Sequence, residues 1–154
     1  MKELIEYREK LIARLEQAAQ EFCDVCKASN PSTKIESDWS LHQVAAHTRD
    51  VDKFVYGVRV RKTLSEENPL LESFDADHWA ETDYKKDEPL ENILDEFGGS
   101  IKNLCGILRD APQEAWSRVS RHETLGGELT MQLWVERSLA HIEEHLATVR
   151  SGQN

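Results

Sequence analysis

The sequence predicts an all-α protein, a four-helix bundle with an up-down-down-up course. Three observations carry this: four long stretches place apolar residues at helical spacing, strand-like alternation is scarce, and one connection is much longer than the others. A length of 154 residues suits one domain with its own core and is short for two, so residues 1–154 are read as a single domain.

The first helix is expected from about Lys2 to Ala28, where Leu4, Ile5, Leu11, Ile12, Leu15, Ala18 and Phe22 recur largely at threes and fours. The stretch "SNPSTKIESDW" breaks it. The second helix begins at Ser40, which with Gln43 three positions on forms a capping-box signature, and it continues through "VAAHTRDVDKFVYGVRVRKTL". Its apolar stripe reads Val44, Val51, Phe54, Val55 and Val58. The third runs from about Pro89, with Asp87 as a candidate N-cap, through "LENILDEFGGSIKNLCGILRDA"; Gly98 and Gly99 mark a place where it could kink. The fourth spans about Thr130 to Arg150. "WSRVSRHETLGGELT", just before it, reads as an irregular turn, and no sheet is apparent. The long connection, about Ser65 to Glu88, can carry the chain back along the bundle so that the third helix starts at the same end as the second.

Composition removes several classes of function. The 19 Lys and Arg are outnumbered by 29 Asp and Glu, a net charge of −10, which leaves no basic footprint for nucleic acid. No apolar run is long enough to span a membrane, and "MKELIEYREKL" is too charged for a secretory signal, so a cytoplasmic location is expected. Cys23 and Cys26 form a C-x-x-C, but it lies inside a helical pattern without a second pair, and Cys105 stands alone. They are read as small apolar residues, neither metal ligands nor a redox pair.

The chemistry lies in the histidines. His141 and His145 are four apart in the fourth helix, which stacks them on one face with Trp134 and Ser138, at the edge of the stripe formed by Leu139, Ile142, Leu146 and Val149. Two imidazoles so spaced can reach one metal ion at about 2.0–2.1 Å. "HIEEH" also matches the H-x-x-E-H protease box, but that site needs an acidic ligand far downstream, and only nine residues follow His145. A third ligand should come from a facing helix, and His47, inside the second helix's stripe, is the best candidate. His42 points about 140° away from it and is expected on the surface. His78 and His122 fall in predicted loops, where no periodicity recommends them.

With these residues in view, the sequence resembles the DinB-like superfamily. The matching stretches are "DWSLHQVAAHTRDVD", "FDADHW" and "GGELTMQLWVERSLAHIEEHLATV" with its H-x-x-x-H pair, and the likeness covers nearly the whole chain. The resemblance implies an up-down-down-up bundle, a metal triad of His47, His141 and His145, and often a homodimer. It also implies metal-dependent chemistry on a small-molecule substrate, with relatives that use low-molecular-weight thiols such as bacillithiol or mycothiol. Three neutral imidazoles would leave a divalent ion its charge and an open position, the arrangement of a reactive site. The expected activity is thus a thiol transferase or hydrolase. The alternative is a non-catalytic bundle that binds a metal or ligand. Zinc, nickel, manganese and iron all accept imidazole. Asp50, Asp75, Asp77, Glu143 and Glu144 lie near the motifs, but no catalytic role is assigned to any of them. A pocket over the triad is expected to be lined by Trp134 and the long connection.

Overall fold

The computed structural model describes residues 1–152. Helix α1 covers Lys2–Lys27, and a two-stranded antiparallel hairpin follows, β1 (Lys34–Glu36) with β2 (Trp39–Ser40). The chain then enters α2 (Leu41–Val51), a π-helical turn (Asp52–Tyr56) and α3 (Gly57–Ser65). The long connection holds β3 (Leu70–Leu71) and α4 (Ala76–Thr82). Helix α5 (Leu90–Asp110) leads through a 3-10 turn (Gln113–Ser117) into β4 (Val119–His122), β5 (Gly126–Thr130) and α6 (Met131–Gly152).

The four helical layers of the bundle are α1, α2 with α3, α5 and α6. Their side chains pack around Leu15, Phe22, Val44, Phe97, Leu104, Trp134 and Ile142, all essentially removed from water. Cross-helix pairs give the directions. Along α1 and α6 they rise together: Arg8 with Gln132, Arg14 with Glu143, Glu21 with Arg150. Between α1 and α5 they run oppositely, with Glu16 meeting Arg109 and Cys23 meeting the Leu94 carbonyl. Asp52 with Ser100 and Arg61 with Asn103 rise together along the second layer and α5. Hence α1 and α6 point one way, and the α2–α3 layer and α5 the other.

Ser40 caps α2 as its sequence suggests, its hydroxyl accepting the Gln43 N–H at 3.2 Å. Helix α5 begins one residue after Pro89, without a side-chain cap from Asp87, and continues unbroken through Gly98 and Gly99. The expectation of no sheet is corrected. "WSRVSRHETLGGELT" contains the β4–β5 hairpin, with Val119 opposite Thr130, and β3 from the long connection joins β4 in parallel. Strands this short cannot show alternation over enough residues to be read.

The π-turn is the second departure. A π-turn accommodates one extra residue, so the face presented by the helix rotates by about 100° beyond it. Val44, Val51 and Val55 are buried as the stripe predicts, but Phe54 is 61% exposed, and beyond the turn Arg59, Val60 and Thr63 are buried while Val58 is only partly so. In an uninterrupted α-helix Arg59 would lie about 120° round from His47; with the extra residue absorbed, the offset falls to about 20°. Gly57 closes the turn by donating its N–H to the Asp52 carbonyl.

A Cβ at Gly57 would lie 2.5 Å from that carbonyl oxygen, which is backbone and cannot swing aside. Gly57→Ala gains up to about 1 kcal/mol of helix propensity, but relieving this overlap should cost about 1–3 kcal/mol. Thermal denaturation should therefore show a lower midpoint than the parent, against the usual direction for Gly→Ala in a helix.

Candidate metal centre

His47 projects from α2, and His141 and His145 from successive turns of α6, into the space between these antiparallel helices. The Nε2 atoms converge: that of His141 is 3.3 Å from His47 Nε2 and 3.0 Å from His145 Nε2. One coordinating nitrogen from each of the three fits within a 4.8 Å span. Three nitrogens at about 2.0–2.1 Å from one tetrahedral ion would be about 3.3 Å apart, so the spacing suits a shared ion. No rearrangement of the backbone is needed.

Electrostatics point the same way. Burial pushes the His47 pKa down to about 3 and that of His141 down to about 2, and the neighbouring imidazoles add to it. His145 is also lowered by burial, with Glu36 and Glu144 opposing. All three are neutral near pH 7, the form that offers a lone pair to a metal. The buried Nδ1 atoms of His47 and His145 have no hydrogen-bond partner among the described residues. Glu36 on β1 brings Oε2 to 3.9 Å from His145 Nδ1, the nitrogen turned away from the cluster. A carboxylate there favours a proton on Nδ1 and so leaves Nε2 free as a ligand.

Aromatic rings wall the centre. Trp39, Phe74 and Trp79 pack within 5.1–6.0 Å of the His47 ring, and Tyr56 within 5.6 Å of His141. Trp79 is itself held, because its indole N–H donates to Asp50 Oδ2 at 2.9 Å. The other oxygen of Asp50 accepts from Arg49 Nε at 2.8 Å, and Arg49 reaches on to both oxygens of Glu88 at 2.6 and 2.8 Å. This chain ties α2, α4 and the start of α5 to the orientation of His47. Beside the cluster lies an open cavity of about 350 Å³, lined by His47, His141, Tyr56, Arg59, Phe74 and His122 among others.

The three histidines singled out by spacing are thus the three brought together. His42 is a correction. It is buried, with Nε2–H donating to the Glu88 carbonyl at 2.6 Å and Nδ1 accepting from the Tyr84 hydroxyl at 2.6 Å. Its angle from His47 was right, but α2 is covered nearly all round, by α6 on one side and by α5 and the long connection on the other. His78 is exposed on α4. His122 lines the cavity without joining the cluster.

Trp134 does not line the cavity, contrary to expectation. It is fully buried, its indole N–H bonded to Ser120 Oγ at 2.8 Å. The long connection does contribute, through Ser73, Phe74 and Ala76. Of the acidic residues, Asp50 supports Trp79, Asp75 caps α4, and Glu143 pairs with Arg14 on the surface. Cys23, Cys26 and Cys105 are buried free thiols, away from the cluster, with pKa values pushed up by burial to about 11, 12 and 12. Sequence reasoning missed Glu36, Trp39, Trp79 and Arg49. Trp39 and Trp79 stood in the quoted motifs, but nothing local marks them as neighbours of His47.

Comparison with known proteins identifies the family. A model described as the DinB superfamily matches residues 3–149. The chain belongs to that superfamily. Two proteins of Oceanobacillus iheyensis, each named "Putative metal-dependent hydrolase", are similar to this DinB-superfamily chain. One is 28% identical over 118 residues, covering 73% of this chain and 64% of its own length. The other is 24% identical over 115 residues, covering 75% and 65%. The chain therefore spans a little under two thirds of the length of these relatives. In fold it is similar to YfiT from Bacillus subtilis, described as "a probable metal-dependent hydrolase with an unusual four-helix bundle topology". That match has a TM-score of 0.86 at 20% identity and covers 96% of this chain and 86% of the other. Among the described residues of this DinB-superfamily chain, no helix is long and apolar enough to cross a membrane.

Two outcomes follow from this geometry. Single His47→Ala, His141→Ala and His145→Ala proteins should lose a divalent ion on dialysis that the parent retains, whereas His42→Ala should keep it and lose about 1–3 kcal/mol of stability from its two broken hydrogen bonds. Metal analysis together with denaturant unfolding reads both.

The second concerns pH. In the metal-free protein, the unfolded chain takes up protons on these histidines below their ordinary value of 6.5, while folded His47 resists until about 3. Stability from this source is complete above about pH 6.5 and is lost as pH falls toward about 3. Unfolding in chelator across that range should show a shallower loss for His141→Gln than for the parent.

Proposed function

We propose that His47, His141 and His145 hold one divalent metal ion and that the protein is a metal-dependent hydrolase acting on a small molecule. The single observation that carries this reading is the convergence of three neutral Nε2 atoms, on two buried imidazoles and one half-buried one, beside an open cavity. The names of the two Oceanobacillus relatives and of the fold neighbour support it.

A divalent ion bound there supplies a Lewis acid that can bring the pKa of a water, or of a thiol, toward neutrality. The chain's own residues set the conditions for this. Three neutral imidazoles would not cancel the charge of an ion held there, and three protein ligands would leave room for a further one. Trp39, Trp79 and Phe74 limit water around His47 and keep its ring from rotating away. The Glu36 carboxylate, 3.9 Å from His145 Nδ1, favours the tautomer protonated there. Asp50 is committed to Arg49 and Trp79, and so stays a supporting group rather than a base.

The test uses the protein loaded separately with zinc, nickel, manganese or iron(II), and assayed on a panel of chromogenic esters and amides. A second panel offers electrophiles with bacillithiol or mycothiol as the thiol. Metal-dependent turnover of the first panel is expected, falling at least about a hundredfold in His141→Ala. Turnover of the second panel alone would replace hydrolysis by thiol transfer at the same centre. Turnover of neither panel above that of the chelated protein would overturn the enzymatic reading.

A further inference from the structure

The cavity contains a second set of polar side chains that the histidine cluster does not explain. Arg59 on α3 is only 7% exposed and lines the cavity together with His47 and His141. In a chain with 29 acidic residues, no carboxylate pairs with it among the described residues. Among the described residues its polar contacts run from Nη2, to the Glu72 carbonyl at 2.9 Å and to His122 Nε2 at 3.2 Å. Arg137, on α6, likewise lacks an ion pair among the described residues, and its charge bears on both Arg59 and His122.

The His122 contact is informative because its tautomer can be derived. Nδ1 accepts the backbone N–H groups of Thr124 at 3.1 Å and Leu125 at 3.2 Å. A neutral imidazole then carries its one proton on Nε2. Nε2–H and the guanidinium N–H are thus both donors, 3.2 Å apart, and both turn to the Glu72 carbonyl, which is neutral and leaves the guanidinium charge without a counter-ion. Burial lowers the Arg59 pKa; Tyr56 opposes this and the charge of Arg137 adds to it. Two rings fix its position: it lies 4.7 Å from the Trp134 centroid and 5.4 Å from that of Tyr56. The Tyr56 ring in turn lies 5.6 Å from His141, so a single side chain touches both sets. A rigid buried fork of donors without a carboxylate suits a planar or tetrahedral oxyanion.

We propose that Arg59, with His122 beside it, forms an oxyanion subsite that receives a carboxylate or phosphate group of the small molecule reacting at the histidine centre. The identity of the bound molecule as substrate rests on the reading of that centre; the anion site itself does not. The π-turn before Gly57 is what brings this guanidinium onto the face shared with His47.

The experiment titrates chelator-treated, metal-free protein with inorganic phosphate and, separately, with acetate, following the Arg59 Nε–H resonance by NMR. A saturable shift is expected in the parent and in His141→Ala. Arg59→Met, read by calorimetry, should bind the better anion at least about tenfold more weakly, the worth of one charge-assisted hydrogen bond. Whichever anion binds more tightly distinguishes a phosphate from a carboxylate group. Absence of a saturable Arg59 shift with both anions would overturn the proposal, and this arm needs no substitution that could unfold the chain. So would binding that survives Arg59→Met but disappears in His141→Ala, since the anion would then sit on the histidines. If the parent protein, before chelation, fails to keep a divalent ion on dialysis while the anion still binds at Arg59, the subsite stands and the metal reading falls instead.

Discussion

Holding three neutral imidazoles together out of water is the constraint around which much of this bundle is arranged. A buried ring nitrogen without a partner is costly, and here Nδ1 of both His47 and His145 lacks one among the described residues. Such an arrangement persists only where neighbours prevent the rings from turning back to solvent. Trp39 and Trp79 do this for His47, and Trp79 is held by Asp50, Arg49 and Glu88 in sequence. The network is buried at Arg49 and Asp50, so removing one partner would leave a charge stranded, which is far more destabilising than losing a surface ion pair. Thus the hairpin, the long connection and the start of α5 all contribute to the placement of one α2 side chain.

The π-turn divides the second layer into two faces with different duties. Before it, the regular stripe of Val44, His47 and Val51 meets α6. After it, Arg59 replaces Val58 as the inward residue. A turn that costs regular hydrogen bonding inside a helix commonly marks a functional segment, and here it aligns a guanidinium with the histidine cluster along one cavity. Gly57 is the residue that makes the turn sterically possible. The cavity is therefore bounded by a neutral, metal-competent end and a cationic end, in a chain whose surface is otherwise strongly acidic.

Much of the fold and the three histidines were legible because their signals are local. Helical periodicity, the Ser40 cap and the i, i+4 spacing of His141 and His145 depend only on the chain's own geometry. His47 could be chosen because it repeats with the buried valines of the same helix. The reading of His42 failed although its angle was sound. An angle says which way a side chain points, and whether that direction is solvent depends on what covers it. Glu88 and Tyr84, which cover it, lie more than 40 positions away.

By itself, then, the sequence determined a helical bundle, its helix limits to within a few residues, and the trio of imidazoles able to meet. Only the tertiary structure decided the π-turn, the small sheets, the burial of His42 and Trp134, and the pairing of Arg59 with His122. A π-turn is stabilised by contacts across the bundle and has no periodic signature of its own. Strands of two to five residues exist through their partners. Arg59 reads as one more surface arginine until the rotated helix turns it inward, where no carboxylate among the described residues follows it.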